Sequence, residues 1–83
     1  MEVILTVAAI ADFNALPLPI KNRVSRLLDR LVSWPNVSGA RPLRGQLAGS
    51  YRMRTGDYRL QFHVLGTRIV VDKIGHRDGF YED

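Results

Sequence analysis

The second half of the chain restricts the possible folds most, because it contains three short segments in which apolar and polar residues alternate or apolar residues follow one another. The segments Ser50–Arg54, Asp57–Leu65 and Arg68–Ile74 are rich in β-branched and aromatic residues. Thr55-Gly56 and Gly66-Thr67 separate them at the length of tight hairpin turns. Alternation with a period of two is the pattern of a strand with one buried and one open side. The sequence therefore predicts a three-stranded antiparallel meander that the rest of the chain covers on one side.

The same alternation assigns the side chains of the first two strands to two faces. The apolar set comprises Tyr51, Met53, Tyr58, Leu60, Phe62 and Val64. The polar set comprises Arg52, Arg54, Arg59, Gln61 and His63. Because helices need an apolar surface to pack on, we expect the apolar set to face inward. The polar set, with three arginines, is then left on the open side of the sheet.

The first half of the chain predicts one strand and two helices. The apolar run 2–6 has the length of a short buried strand, and Thr6 is placed to cap a helix that ends at Asn14. A second helix has Pro19 in its first turn and an apolar stripe at helical spacing, and Trp34-Pro35 ends it. The two helices are expected to form a hairpin packed on the sheet.

Residues 35–49 contain glycine and proline at short intervals and show no periodicity, which predicts an ordered loop. With 83 residues the chain has the size of a single domain, residues 1–83. The predicted fold class is α+β, with an N-terminal strand and a helical hairpin packed on a mainly antiparallel sheet that the C-terminal meander completes.

Positive charge is concentrated in the half that forms the meander. Residues 41–77 contain eight basic and two acidic side chains, and ten of the twelve basic residues in the chain are arginine. Arginine binds phosphate through a planar pair of donors and stacks on bases. A basic half in a domain with a pI of about 10.1 is typical of nucleic-acid binding, although a merely soluble basic surface has the same composition.

Several classes of protein are excluded or disfavoured by what the sequence lacks. There is no cysteine, which excludes disulfides, thiol catalysis and cysteine zinc sites. The N-terminal apolar run carries Glu2 and no basic residue, which is the wrong charge for an export signal. No run reaches the roughly 20 apolar residues of a membrane helix. We therefore expect a cytoplasmic protein without a membrane partner.

Four short motifs in the second half occur in a characteristic order. They are Leu43-Arg44-Gly45, Tyr51-Arg52-Met53-Arg54, Gly56-Asp57-Tyr58-Arg59 and Gly75-His76-Arg77 followed by Tyr81. In this order the chain resembles the RelE/ParE superfamily of bacterial and archaeal toxins. The resemblance spans nearly the whole sequence and implies a helical hairpin on an antiparallel sheet.

The resemblance implies a toxin that a cognate antitoxin protein neutralises. In the RelE branch the activity is cleavage of messenger RNA in the ribosomal decoding site, so the implied partners are the ribosome with its mRNA and rRNA. In the ParE branch the target is DNA gyrase. The RelE activity is favoured by the cluster Arg52, Arg54 and Arg59 and by the terminal Gly75-His76-Arg77 with Tyr81. The absence of lysines at the family positions and of a carboxylate base favours a gyrase inhibitor or an inactive member. A gyrase inhibitor, a catalytically inactive member of this fold and a non-toxic nucleic-acid-binding module are the alternatives.

The resemblance also suggests roles for individual residues. Arg52 and Arg54 occupy positions where the RelE pattern has two lysines, and Arg59 matches a phosphate-binding arginine. Arg77 matches an arginine that acts as general acid or stabilises the transition state. Tyr81 matches a tyrosine that stacks on a base or assists proton transfer, at a shorter spacing from Arg77 than in some members.

Replacing lysine by arginine leaves the identity of the general base open. Arginine is always protonated, so His63 and His76 are the remaining candidates, and of these His76 is preferred. Alternatively, the ribosome orients the 2′-OH and the arginines only stabilise charge. The residues predicted to catalyse are Arg59, His76, Arg77 and Tyr81, and those predicted to bind RNA are Arg44, Arg52, Arg54 and His63. No cofactor and no metal site is expected, because no carboxylate pair suggests a cation site.

Overall fold

The computed structural model describes residues 1–80. Its elements in chain order are β1 (Glu2–Leu5), α1 (Val7–Asn14), α2 (Leu18–Leu31), β2 (Arg41–Pro42), β3 (Ser50–Thr55), β4 (Tyr58–Leu65) and β5 (Arg68–His76). A short 3₁₀ turn, Gly45–Leu47, lies between β2 and β3. The predicted α+β class is confirmed.

All five strands belong to one sheet in the order β1-β5-β4-β3-β2. β1 runs parallel to β5, and every other neighbouring pair is antiparallel. α1 packs on β5 and α2 on β3, so the helices cover one side of the sheet. The first and last strands are therefore neighbours, and the predicted meander forms the three central strands of the sheet, with β1 at one edge and β2 at the other.

The helix boundaries follow from local chemistry. The Thr6 hydroxyl accepts the backbone N–H of Ala9 at 3.1 Å and caps α1 as predicted. α2 begins at Leu18 with Pro19 in its first turn. It ends at Leu31, earlier than predicted, because residues 32–34 continue in a tighter turn with bonds to the third residue back. Trp34-Pro35 lies within these turns, because the Asn36 N–H donates to the Ser33 carbonyl at 2.8 Å.

The segment predicted as a loop contains a fifth strand. Arg41 pairs with Arg52 and Pro42 with Tyr51 at the edge of the sheet. Proline cannot donate to a strand ladder and is confined to edges, so a two-residue strand that contains it carries no periodic signal. The prediction of a segment without strands over residues 35–49 was wrong at this point.

The two faces of the sheet follow the predicted alternation in β3 and β4, but β5 contains a bulge. Gln61 pairs with Lys73 and Phe62 with Val71, so Asp72 is an additional residue in β5. Strict alternation would turn Lys73 towards the helices. The bulge instead brings Ile74 into the core and leaves Lys73 on the open side.

The core lies between the helices and the sheet. Its fully buried members are Ala9, Val24, Leu27, Leu31, Met53, Leu60, Phe62, Ile69, Val71 and Ile74. Trp34 adds edge contacts to Tyr51 and Phe62, with ring centroids 4.8 and 5.3 Å apart, and Tyr51 stacks on Phe62 at 5.4 Å. This aromatic cluster fixes the chain that follows α2 against β3 and β4.

One carboxylate connects α1 to β5 next to the bulge. Asp12 Oδ2 accepts the backbone N–H of Ile74 at 3.0 Å in a partly buried position. Replacing Asp12 with alanine is expected to lower the free energy of unfolding by about 1–3 kcal/mol, because a buried donor loses its partner. Asp12→Asn retains an oxygen acceptor and should lose less than half as much. Urea denaturation of both variants tests this, and equal losses would contradict it.

The chain after β5 turns back over the open side of the sheet. Phe80 is only 2% exposed but lies outside the main core, and its Cδ1 is 3.6 Å from the position that a Cβ would take at Gly75. Gly75 pairs with Arg59 on the open side. The Phe80 carbonyl accepts a hydrogen bond from Lys73, whose Nζ lies 4.8 Å from the ring centroid. The C-terminal segment therefore covers part of the side that the sequence predicted to be open.

Candidate nucleic-acid interface

Basic side chains from four strands lie next to one another on the open side of the sheet. Arg54 pairs with Arg59, and Arg52 pairs with Arg41 on one side and with Gln61 on the other. Gln61 in turn pairs with Lys73. The basic face is defined here as Arg41, Arg52, Arg54, Arg59 and Lys73. The structure therefore brings the predicted residues Arg52, Arg54 and Arg59 together and adds two cations to them.

A cleft of about 270 Å³ opens next to Arg41, the first residue of β2, where the edge of β3 continues beyond β2. Arg41, Arg52 and Arg54 line it from the sheet, and Arg30 lines it from the end of α2. Arg30 Nη2 donates to the Ser38 carbonyl at 2.6 Å and to the Ser38 hydroxyl at 3.2 Å, which fixes the loop beside the cleft. With four arginines and no acidic residue in its described lining, the cleft is suited to an anion such as a phosphate group.

The tip of the β3–β4 hairpin holds Arg59. Its Nη1 donates to the carbonyls of Gly56 at 3.1 Å and Tyr58 at 3.3 Å, which orients the guanidinium. Gly56 has a φ of 59°, a left-handed conformation that favours glycine. Arg23 on α2 reaches the same turn, since its Nη1 lies 3.4 Å from the position of a Cβ at Gly56.

Arg77 follows β5 and lies beside the same hairpin tip. Its backbone N–H donates to the Asp57 carbonyl at 2.8 Å. Its Nε lies 3.8 Å from Asp57 Oδ1 and 3.7 Å from Asp78 Oδ1, and all three side chains are more than half exposed. These long, exposed ion pairs contribute little to stability. The backbone bond to Asp57 ties the start of this segment to the hairpin turn, and the Arg77 guanidinium stays accessible to solvent.

The two histidines occupy different sides of the sheet. His63 lies on the open side and contacts Asp72 on β5, with Nδ1 and Oδ2 2.7 Å apart. His76 pairs with Tyr58, which belongs to the helix-facing register, and their rings meet edge to face at 5.2 Å. The structure thus does not bring His76 together with His63 or with the basic face.

Arg44, another residue of the predicted site, lies at the margin of this surface. Arg44 is exposed and immediately precedes the 3₁₀ turn between β2 and β3, and it does not line the cleft. Tyr81 lies outside the described residues. Within residues 1–80, no group of three or more side chains has the composition to hold a metal ion. In the same range, no helix is long and apolar enough to cross a membrane.

Sequence reasoning missed four residues of this surface for different reasons. Arg41 lies in the segment predicted as a loop, and Arg30 reaches the cleft only because α2 ends beside β3. Lys73 and Asp72 are placed by the bulge, which the alternation gives no sign of. The apolar run before Asp72 gives no signal either, because Val70 lies on the open side opposite His63 and the sides still alternate up to Val71.

Comparison with known proteins agrees with this architecture. The model of the ParE toxin family of type II toxin–antitoxin systems matches residues 3–79. A chain of the toxin–antitoxin complex RelBE2 from Mycobacterium tuberculosis is 31% identical, with a TM-score of 0.79 over 92% of this chain and 96% of that one. No curated protein matches the chain significantly.

Two more distant structures share the fold. The isolated RelE toxin of E. coli is 18% identical with a TM-score of 0.77, covering 90% of this chain and 82% of its own. A chain of the RelB–RelE complex from Methanococcus jannaschii is 20% identical with a TM-score of 0.77, covering 92% of both chains. Taken with the match over residues 3–79, the chain belongs to the ParE toxin family of type II toxin–antitoxin systems, within the RelE/ParE superfamily.

Proposed function

We propose that this toxin stops translation by cleaving messenger RNA on the ribosome. The observation that carries the proposal is the basic face, on which Arg52, Arg54 and Arg59 lie in adjacent register positions beside a cleft lined by arginines. Single-stranded RNA is held mainly through its phosphates and by stacking. A surface of converging guanidinium groups suits several consecutive phosphates.

The reaction is an internal transesterification. The ribose 2′-oxygen forms a bond to the adjacent phosphorus, and the bond from phosphorus to the 5′-oxygen breaks. The products carry a 2′,3′-cyclic phosphate and a 5′-hydroxyl. Negative charge accumulates on the phosphoryl oxygens in the transition state, so fixed cations there lower the barrier. In this proposal Arg52 and Arg54 bind that charge, and Arg59 and Arg77 position the adjoining strand.

Two macromolecular partners follow from the proposal. The ribosome with its mRNA and rRNA supplies the substrate in a fixed conformation, and Arg44 contacts RNA at the margin of the site. The second partner is a cognate antitoxin protein, since RelBE2 and RelB–RelE are toxin–antitoxin complexes. A segment with acidic side chains would neutralise the basic face by covering it.

Gyrase inhibition is the second candidate, and the name of the matching family favours it. In that case the same surface would bind a protein. No RNA would be cleaved, so catalysis would require neither the basic face nor a positioned histidine. A catalytically inactive RNA-binding member is the remaining alternative. RNA cleavage and gyrase inhibition differ in their first target in the cell, which is messenger RNA in one case and DNA gyrase in the other.

Controlled expression of the toxin in a bacterial host decides between these functions. We expect translation to stop within minutes and new messenger 5′ ends to map within codons, while plasmid supercoiling stays normal. The Arg54→Glu variant should lose both effects. Arg26→Glu makes the same change in charge on an exposed site of α2 and should remain toxic. Loss of supercoiling with intact messenger would refute RNA cleavage and support gyrase inhibition.

A further inference from the structure

We propose that His63 is the general base of the cleavage reaction and that Asp72 positions it. This assignment rests on the proposed function and names the group that takes the 2′-hydroxyl proton. The sequence preferred His76 for this role. Three observations favour His63 instead: the orientation of its ring, the bulge that places its partner, and its position beside the basic face.

The contact between His63 and Asp72 fixes the imidazole tautomer. A carboxylate is acceptor-only when ionised, so the proton between Nδ1 and Oδ2, which are 2.7 Å apart, belongs to Nδ1. In the neutral ring Nε2 then carries a lone pair and can accept a proton. The two side chains are 36% and 29% exposed, which leaves the ring accessible to a substrate while its partner restricts its rotation.

The β-bulge is what brings this carboxylate to the histidine. His63 pairs with Val70, and Asp72 is the additional residue that follows Val71. Its backbone is held in place from β1 and α1, because the Thr6 hydroxyl donates to the Asp72 carbonyl at 3.3 Å. The Thr6 N–H also donates to the Val71 carbonyl at 3.0 Å. Bulges commonly re-aim a side chain next to an active site.

His63 also lies next to the cations that would bind the scissile phosphate. Its direct partner on β3 is Ser50, so Arg52 is its diagonal neighbour at a distance of about 7–8 Å between Cα atoms. The charged groups that face it are Arg52 from β3 and Asp72 and Lys73 from β5. The exposed Glu2–Arg68 pair is further along the same side, where Arg68 pairs with Leu65.

His76 is less suited to act as a base. Its Nδ1 accepts the backbone N–H of Asp78 at 3.1 Å, and the Asp78 carboxylate is further away at 3.4 Å. The shorter contact requires a lone pair on Nδ1, so the neutral ring carries its proton on Nε2. In the neutral ring, Nε2 of His76 therefore donates, whereas Nε2 of His63 accepts.

His63 Nε2 removes the 2′-hydroxyl proton as the 2′-oxygen bonds to phosphorus. The 5′-oxygen leaves with the electron pair of the broken bond and takes a proton from water. Asp72 stabilises the imidazolium, which returns its proton to water afterwards. Arg52 stabilises the phosphoryl oxygens throughout.

Single-turnover cleavage of messenger on programmed ribosomes tests the assignment. We expect His63→Ala to reduce the cleavage rate by about 10²- to 10⁴-fold and to remove the rise in rate with pH that an imidazole base produces. Added imidazole should restore part of the rate in this variant. Such rescue reports a missing proton acceptor and does not follow from a merely structural role.

Asp72→Asn tests the positioning role. The amide can donate to Nδ1 and so favours the tautomer with a protonated Nε2, which should lower the rate by about 10- to 100-fold and change its pH dependence. Arg68→Gln is the matched control, because it breaks another exposed ion pair on the same side of the sheet. It should retain the wild-type rate and pH profile.

The outcomes separate this assignment from the proposed function. Cleavage by wild type with a full rate in His63→Ala would overturn the assignment and leave RNA cleavage standing. Loss of the pH dependence in His76→Gln with its retention in His63→Ala would also overturn it, in favour of His76. Absence of cleavage by wild-type toxin on ribosomes would refute the proposed function and this assignment together.

Discussion

Replacing Arg52 with alanine is expected to reduce the rate of RNA cleavage by roughly 100-fold or more, which is the typical effect of removing one donor to a developing oxyanion. Arg52 has the central position on the basic face, between Arg41 and Gln61, and it also lines the cleft. Its loss leaves the phosphoryl oxygens with one fixed cation fewer. Quantifying cleaved messenger in a single turnover on programmed ribosomes gives the rate.

Arg52 should also contribute to RNA affinity in a way that salt reveals. Each phosphate contact adds close to one unit to the slope of the logarithm of the binding constant against the logarithm of salt concentration. Fluorescence anisotropy with a short single-stranded RNA should show a shallower slope for Arg52→Ala. Arg52→Lys keeps the charge but not the planar pair of donors, so it should retain the slope and lose part of the rate.

Arg68→Ala provides the matched comparison for Arg52→Ala. Arg68 lies on the same side of the sheet, but its Nε is 2.9 Å from Glu2 Oε1 and it lies at the far end of β5. We expect its cleavage rate to stay within about threefold of wild type, since an exposed paired charge contributes little. If the two alanine variants lose the same activity, overall charge and not the basic face determines function.

Truncating Phe62 to alanine is expected to have the largest effect on stability. The side chain is fully buried in β4 and contacts Trp34 and Tyr51 through its ring. Removing a buried phenylalanine costs about 3–5 kcal/mol, a large part of the 5–15 kcal/mol that stabilises a small domain. For a domain of this length such a loss corresponds to a decrease in Tm of roughly 12–40 °C. Calorimetry or circular dichroism measures it.

The control for Phe62→Ala lies three residues further along the same strand. Leu65 is 63% exposed and faces the open side opposite Arg68. Leu65→Ala should change the free energy of unfolding by less than about 1 kcal/mol, because little apolar surface leaves water there on folding. A comparable loss in both variants would mean that the helices do not pack on the face described for β4.

Arg52 and Phe62 lie on neighbouring strands but on opposite sides of the sheet. Phe62 and Gln61 are neighbours in β4, yet they face opposite sides. Phe62 stabilises the core, whereas Gln61 lies on the open side between Arg52 and Lys73. Substitutions on the open side should therefore change activity with little effect on stability. The C-terminal segment is the exception, since Phe80 is buried on that side against Gly75.

The sequence by itself predicted most of the fold because the periodic signals are strong where the core is continuous. Alternation in β3 and β4 identified Leu60 and Phe62 as buried and placed Arg52, Arg54 and Arg59 on one side. The short strand at Arg41–Pro42 was not predictable, because two residues cannot show a period and proline argues against a strand.

The composition of the candidate site was decided only in three dimensions. A one-residue bulge at Asp72 reverses the side on which the following residue of β5 lies, so Lys73 joins the basic face and the carboxylate reaches His63. Arg30 and Arg41 meet because α2 ends beside the edge of β3. Local alternation determines which residues share a face within a strand, whereas bulges and packing between elements determine which charges finally meet.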